Sequence, residues 1–368
     1  MIVATILSCA DPKESANASI VGQYELSPVI EDNNREHPER KWVNIQQDNP
    51  LNEELRQQLE GLEGVIRVDP FTGVRVTGAP FDQYDTINGI PEEYAEEIEK
   101  GIIDGDVTYE ELKSGDKVVI DRVLLHWYPE LEVGTKLNLT IYDGERTYEK
   151  EVEIAAVGEY SHGLTGYHYL IMAKEAADRL CENNSTQFFH VIADQDYDPE
   201  LEEALSELVR SSGRLKMNTW QAEYENWDMS MTVISRACYA FLGILAVISV
   251  MNLINTMINS VHVRRKELGM MQAMGMSDRQ LMKMLQLEGL FYTFGTLVIT
   301  IGLGSLAGYP LFLYAKSSGM FQITTYHFPW AAAATVSVVL LFVQAVLSLA
   351  ITGSIKKAPL IERIRFSE

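Results

Sequence analysis

The chain has 368 residues and a formal net charge of −22, from 30 basic and 52 acidic residues. Residues 233–368 hold 11 of the basic and 5 of the acidic residues, a net of +6, which leaves −28 for residues 1–232. The acidic part excludes nucleic acid as a partner, because phosphate binding needs clustered Lys and Arg. Three scattered cysteines exclude a disulfide framework. An acidic part joined to a mildly basic, apolar part indicates two different solvents.

The first ten residues, MIVATILSCA, are apolar and lack the basic stretch that opens a secretory signal. Ile6-Leu7-Ser8-Cys9 faintly resembles a lipidation box, but the leader before it is too short. We interpret residues 1–10 as the outer end of a first membrane-spanning helix, or as an N-terminal tail. A helix in that place, with its N-terminus inside, would export the domain that follows.

Residues 11–232 mix helical and strand patterns. Helices are predicted at Leu51–Leu59, from Pro91 onward, at Ala173–Cys181 and at Pro199–Arg210. Strands are predicted at Val65–Val76 with a turn at Pro70–Gly73, at Lys117–Asp121, at Phe188–Ala193, and at Leu137–Tyr142 and Glu149–Val157 around a turn at Asp143-Gly144. The mixture predicts an α+β domain in two lobes, with a β-rich insert near residues 115–170.

Few residues of this domain are candidates for metal binding or catalysis. His162 and His168 have metal-binding side chains but no third ligand at a familiar spacing, and we expect exposed loop histidines. The acidic runs of residues 92–99 and 194–203 are read as solvated helix faces. The chain has no GxSxG, HExxH or GxxxxGK[ST] motif, so we expect neither an enzyme nor a bound cofactor or metal, and no ATP hydrolysis by the chain itself.

Three long apolar windows follow. They cover about residues 237–261, 289–315 and 330–355, and each reaches the roughly 20 residues that a spanning helix needs. Basic residues cluster in the segment 262–288 and in the tail 356–368, whereas the segment 316–329 has one lysine. Because Lys and Arg accumulate on the cytoplasmic side, we place 262–288 and the tail inside, and residues 11–232 outside.

The segment between the first two windows, VRRKELGMMQAMGMSDRQLMKMLQLEG, has the features of an amphipathic helical hairpin. Leu268, Met271, Met274 and Met276 form an apolar stripe, Gly275 ends one helix, and Ser277-Asp278 caps the next. Such a hairpin could anchor the chain at the membrane surface. Alternatively, it could dock in a groove of a partner, for which methionine supplies adaptable apolar contacts.

This segment closely resembles the cytoplasmic motif of FtsX-like (MacB-type) ABC transporter permeases. The matching positions are Arg264 or Arg265, Glu267, Leu268, Ala273, Gly275, Met276, Gln280, Glu288 and Gly289. The glycine-rich second window also fits the family, and its Gly304-x-x-x-Gly308 motif permits close helix packing in lipid. The resemblance is specific over residues 233–368 and looser over residues 11–232.

The resemblance implies four spanning helices with a MacB-like external domain between the first and second. It also implies a homodimer or pseudo-dimer in a bacterial plasma membrane. A separate ATPase subunit would bind ATP and contact the hairpin, and the matching residues, with Met271, would form that coupling site. Three functions remain open: transport of a peptide, lipid or antibiotic-like substrate; signalling to extracellular partners such as cell-wall hydrolases; and a membrane-anchored binding protein without an ATPase.

Overall fold

The computed structural model describes residues 2–166, 168–318, 323 and 325–357, and it divides into two compact units. The first unit, here called the sheet unit, consists of Asp11–Met229 and Ala315–Thr324. The second, the helical unit, consists of Met1–Ala10, Ser230–Tyr314 and Thr325–Glu368.

The sheet unit is built on one mixed sheet of ten strands. The strands are β1 (Tyr24–Pro28), β2 (Val65–Gly78), β3 (Phe81–Ile90), β4 (Ile102–Gly105), β5 (Lys117–Asp121), β6 (Lys136–Asp143), β7 (Arg146–Gly158), β8 (Leu170–Ala173), β9 (Thr186–Ala193) and β10 (Leu215–Thr219). Their order is β10-β1-β9-β2-β3-β8-β5-β7-β4, with β6 paired to both β2 and β7. The β3–β8 and β5–β7 pairs are parallel and the others are antiparallel.

Short helices cover this sheet. They are α2 (Pro12–Ser19), α3 (Trp42–Ile45), α4 (Glu53–Glu60), α5 (Ala95–Lys100), α6 (Tyr109–Leu112), α7 (Leu124–Trp127), α8 (His162–Thr165), α9 (Lys174–Asp178) and α10 (Pro199–Ser212), with 3-10 turns at Pro38–Arg40, Gln46–Asp48 and Glu92–Tyr94. Several begin at the caps that their sequences favour: Asn52 accepts from the Leu55 amide and Asp198 from the Leu201 amide. The α+β prediction is confirmed.

Two hydrophobic clusters stabilise the sheet unit. The larger includes Phe71, Ile87, Ile120, Leu139 and Ile154, each almost fully buried. The smaller packs helices α4 and α10 on the other end of the sheet and includes Tyr24, Leu26, Leu59, Val191 and Leu205. The predicted two lobes therefore appear as two cores on one continuous sheet, and the larger core extends from residue 71 to residue 181, beyond the predicted insert.

Of two turns predicted in this unit, one is wrong and one is confirmed. The turn predicted at Pro70–Gly73 does not form: β2 continues through it, with a register shift between Phe71 and Thr72 in its pairing with β9. The hairpin predicted around Asp143-Gly144 forms between β6 and β7, where Asp143 pairs with Arg146 and the loop residues are Gly144 and Glu145. Gly144 has a φ of +61°, which favours glycine at this position.

The helical unit contains long helices. Its elements are α1 (Ile2–Cys9), residues 230–263 of α11 (Trp220–Val263), α12 (Arg265–Ala273), the greater part of α13 (Asp278–Ser317), and α14 (Trp330–Lys357). Large apolar side chains on α11 are solvent-exposed, among them Phe241, Ile244 and Val247, each more than 60% exposed. An exposed apolar surface of this kind fits a membrane helix rather than the core helix of a soluble protein.

Candidate functional site: the hairpin of residues 264–288

The C-terminal end of α12 forms a Schellman motif. The Met276 amide donates to the Met271 carbonyl (3.1 Å), and the Gly275 amide donates to the Gln272 carbonyl (3.0 Å). Gly275 has a φ of +105°, in the left-handed region that favours glycine. The sequence-based prediction that Gly275 ends this helix is confirmed by this backbone geometry.

The start of α13 is fixed by a capping box. The Ser277 hydroxyl accepts from the Gln280 amide (3.3 Å), and the Gln280 side-chain oxygen accepts from the Ser277 amide (2.9 Å). The Gln272 side chain also donates to the Asp278 carboxylate at 2.7 Å, which joins the two helices across the turn. Gln280 thus holds the tip of the hairpin, a role that the sequence analysis missed although the S-x-x-Q spacing signals it.

An ion pair closes the base of the hairpin. The Arg264 Nη1 lies 2.7 and 2.9 Å from the two carboxylate oxygens of Glu288, and its Nε lies 3.5 Å from Glu267. The Glu288 carboxylate raises the pKa of the Arg264 guanidinium above its usual value. Leu268 and Leu281 are 5% and 1% exposed, so the inner side of the hairpin is apolar.

The hairpin separates the predicted site residues into two groups. Leu268 and Gly289 are buried, and Arg264, Met271, Met276 and Glu288 are half-buried; these residues build the hairpin. Glu267, Ala273, Gly275 and Gln280 are exposed, while the Arg265 side chain lies outside the described residues.

The side chains of the predicted apolar stripe differ in their exposure to solvent. Leu268 is buried, whereas Met274 is 81% exposed and its helical neighbour Met270, which the sequence analysis did not single out, is 51% exposed. Met270 and Met274 are four residues apart and so lie on one side of the α12 end. They give the tip an exposed apolar surface, here called the methionine tip.

Comparison with known proteins identifies this part of the chain. Residues 239–360 match the family model of the FtsX-like permease C-terminal domain. These residues form an FtsX-like permease C-terminal domain. The hairpin lies within the matched residues.

Solved structures are similar to the chain at low sequence identity. The periplasmic region of MacB from Actinobacillus actinomycetemcomitans is 13% identical, covering 58% of this chain and 95% of that one, with a TM-score of 0.35. The extracellular domain of the noncanonic ABC-type transporter YknZ from Gram-positive bacteria is 16% identical, covering 54% of this chain and 100% of that one, with a TM-score of 0.30. No curated protein matches the chain.

Two described helices of the chain are long and apolar enough to cross a membrane: Trp220–Asn252 and Asp278–Ser317. The described apolar part of α14, Trp330–Val346, is shorter. The side chains of the rest of α14, and the tail of residues 358–368, lie outside the described residues. The third span therefore stays a prediction.

Helix α1 packs against the second apolar helix at Gly308. A Cβ added at Gly308 would lie 2.8 Å from the Thr5 hydroxyl, whereas one added at Gly302 would meet no atom within 4 Å. The Ser8 hydroxyl and the Cys9 thiol both donate to the His327 carbonyl, at 2.7 and 3.6 Å. Gly308, predicted as a packing residue, thus lies at a close helix contact, and Gly304 is half-buried.

The prediction that His162 and His168 are exposed loop residues is wrong. His162 begins α8 and His168 contacts the Gln187 side chain at 3.0 Å, and both are partly buried rather than exposed. Burial lowers the pKa of His168 to about 4. Among the described residues, no group of three His, Cys, Asp or Glu side chains is placed to hold a metal ion.

Proposed function

We propose that this permease couples ATP hydrolysis by a separate ATPase subunit to movements of an extracytoplasmic sheet unit, and so exports or extracts a peptide, lipid or antibiotic-like substrate. The observation that carries the proposal is the methionine tip on a stiff hairpin. The tip exposes two flexible apolar side chains, and such side chains adapt to a partner groove.

The construction of the hairpin supports a force-bearing role. The Schellman motif, the capping box and the Gln272–Asp278 bond fix the tip, while the Arg264–Glu288 ion pair fixes the base. A surface anchor would need only an apolar face toward lipid, whereas a lever must keep its shape under load. In the proposal, closure of the ATPase pushes the hairpin and α11 carries the movement to the sheet unit.

The proposed placement follows the charge pattern. The basic hairpin lies inside, the sheet unit lies outside, and α11, α13 and α14 span the membrane. The active form is a homodimer, or a pseudo-dimer with a second permease half, and the permease itself carries no catalytic residue. Membrane lipid surrounds the apolar faces, and ATP is bound by the partner.

Photo-crosslinking tests the docking site. The full chain, in native membranes, carries benzoylphenylalanine in place of Met274, with replacement of Met229 as the matched control. Met229 is 66% exposed but lies in the sheet unit. We expect the residue 274 probe to capture a protein with a Walker-type ATPase motif, and the residue 229 probe not to capture it.

Two outcomes would contradict the proposal. Capture of lipid alone at residue 274 would indicate a surface anchor, and equal capture of the ATPase at both positions would indicate non-specific proximity. If the ATPase is captured, reconstitution with it in vesicles separates transport from signalling, because only transport moves a solute during ATP turnover.

A further inference from the structure

The sheet unit contains a cavity of about 540 Å³ between the loop of residues 29–48 and strands β2, β3 and β6. Its walls include Lys41, Trp42, Arg75, Tyr84 and Tyr142. The volume is in the range of sites that hold small organic molecules.

Arg75 is held in a fixed position in this cavity. Its Nη1 donates to Asp32 Oδ2 at 2.9 Å, while Asp32 Oδ1 accepts from the Trp42 amide at 2.8 Å. The guanidinium carbon lies 6.0 Å from the Trp42 ring centroid and 5.5 Å from that of Tyr84. The loop and the sheet together therefore orient a cation against aromatic walls.

The hydrogen-bonding groups that remain available are mostly donors. Both Asp32 oxygens are engaged, and Gln46 is also used, since its oxygen accepts from the Gly144 amide and its nitrogen donates to Ser185. Within the described part of the chain, one of the five guanidinium N–H groups of Arg75 has a protein partner, and Lys41 has no ion pair. A ligand here must supply acceptors. An anion fits best, because Arg75, although paired with Asp32, has further N–H donors to offer and Lys41 adds an uncompensated charge.

The walls of the cavity define the rest of the ligand. Tyr84 is 62% exposed and meets the edge of Tyr142 with their ring centroids 5.1 Å apart. An exposed aromatic ring in a cavity favours stacking of a planar or apolar group. We propose that this cavity binds a small organic anion that carries a planar ring next to its acidic group. The site is independent of the ATPase coupling proposed above.

Calorimetric titration of the full chain in neutral detergent tests the site, with indole-3-acetate as the probe. Tryptamine has the same ring and the opposite charge, and titration into empty micelles corrects for partition into detergent. We expect saturable binding of indole-3-acetate at millimolar concentration and none of tryptamine, because the available groups are cations and donors.

Variants assign the binding to this cavity. Lys41→Gln should weaken indole-3-acetate binding by about tenfold, since one charge-assisted hydrogen bond is lost. Tyr84→Ala should weaken it through loss of the stacking surface. The control Lys100→Gln removes an equal charge from an exposed helix end, where the Lys100 side chain is 72% exposed, and should leave binding unchanged.

The proposal is overturned by any of three results: no saturable binding to the unaltered chain, equal binding of tryptamine, or binding that Lys41→Gln and Tyr84→Ala both leave intact. Tyr84 is exposed and Lys41 lies in a loop, so both variants should fold. A thermal unfolding curve for each variant checks this.

Discussion

Arg264 and Glu288 are 24 residues apart in sequence, yet their side chains meet at 2.7 Å across the base of the hairpin. The two side chains are 35% and 29% exposed, so the pair is partly shielded from water. It links the end of α11 to the first part of α13. The position of the methionine tip therefore depends on a contact made at the opposite end of the hairpin.

Reversing the charge of Arg264, of Glu288, or of both tests this ion pair. Arg264→Glu and Glu288→Arg should each speed amide hydrogen exchange over residues 265–288, because like charges replace an ion pair. The double variant should restore slow exchange, with a coupling energy of about 1 kcal/mol. Single variants that leave exchange unchanged would show that the pair does not hold the hairpin.

Gly275→Ala should destabilise the hairpin tip by about 1 kcal/mol, since alanine is strained at a φ of +105°. Gly295→Ala is the matched control: a Cβ at either glycine meets no atom within 4 Å, but Gly295 lies inside helix α13. Hydrogen exchange of the Met276 amide, which closes the Schellman motif, is the measurement. Equal effects of the two substitutions would show that the positive φ of Gly275 is not the cause of the destabilisation.

Gly308→Val should displace α1, because a Cβ at this position collides with Thr5. Cys9, which is 1% exposed, should then react faster with a maleimide in a chain whose Cys181 and Cys238 are replaced by alanine. Gly302→Val, with open space around it, should leave the rate of Cys9 labelling unchanged. If both variants label Cys9 alike, the contact between Gly308 and Thr5 is not what protects the thiol.

Glu25→Gln should stabilise the sheet unit at pH 8 but not at pH 4.5. Burial raises the pKa of Glu25 to about 7, with Lys216 opposing and Glu223 adding to the rise. The folded chain thus holds a proton that the unfolded chain releases, and stability falls as the pH rises from about 4.5 to 7. Glutamine avoids this loss, a gain of about 3 kcal/mol at pH 8.

The measurement for Glu25 is the difference in thermal unfolding midpoint between the two chains as a function of pH. His190 Nδ1 lies 3.9 Å from the Glu25 carboxylate and has a pKa lowered to about 4 by burial. It is present in both chains, so to first order its own titration cancels from the difference. A difference that is constant from pH 4.5 to 8 would show that Glu25 binds its proton equally well in the folded and the unfolded chain.

Local signals explain what the sequence predicted well. Gly275 ends one helix and Ser277 caps the next within a single turn, so the position of the tip could be predicted from the local sequence alone. The strand β5 was predicted with its observed bounds, Lys117–Asp121, because it is a short apolar run between turn signals. The Arg264–Glu288 contact and the residues of the Arg75 cavity are distant in sequence, and no pattern within one element brings them together.

A turn was predicted at Pro70–Gly73 but does not form, because tertiary strand pairing overrides the local turn signal. Strand β2 is paired with β9 on one side and with β3 on the other, so the ladder holds this segment extended. Gly73 has a different role: it leaves room for the Gln187 side chain on β9, whose Oε1 a Cβ at this position would overlap. A glycine needed for close approach of a neighbouring strand resembles a turn glycine in sequence.

No loop residue separates strand β10 from helix α11. Strand β10 ends at Thr219 and α11 begins at Trp220, whose amide donates to the Gln23 carbonyl at 2.9 Å. Between Gly213 and Gly243 the sequence contains no glycine or proline, the two residues that most readily interrupt a helix. In the proposed mechanism, a rotation of this helix would therefore act directly on β10 and on its antiparallel partner β1.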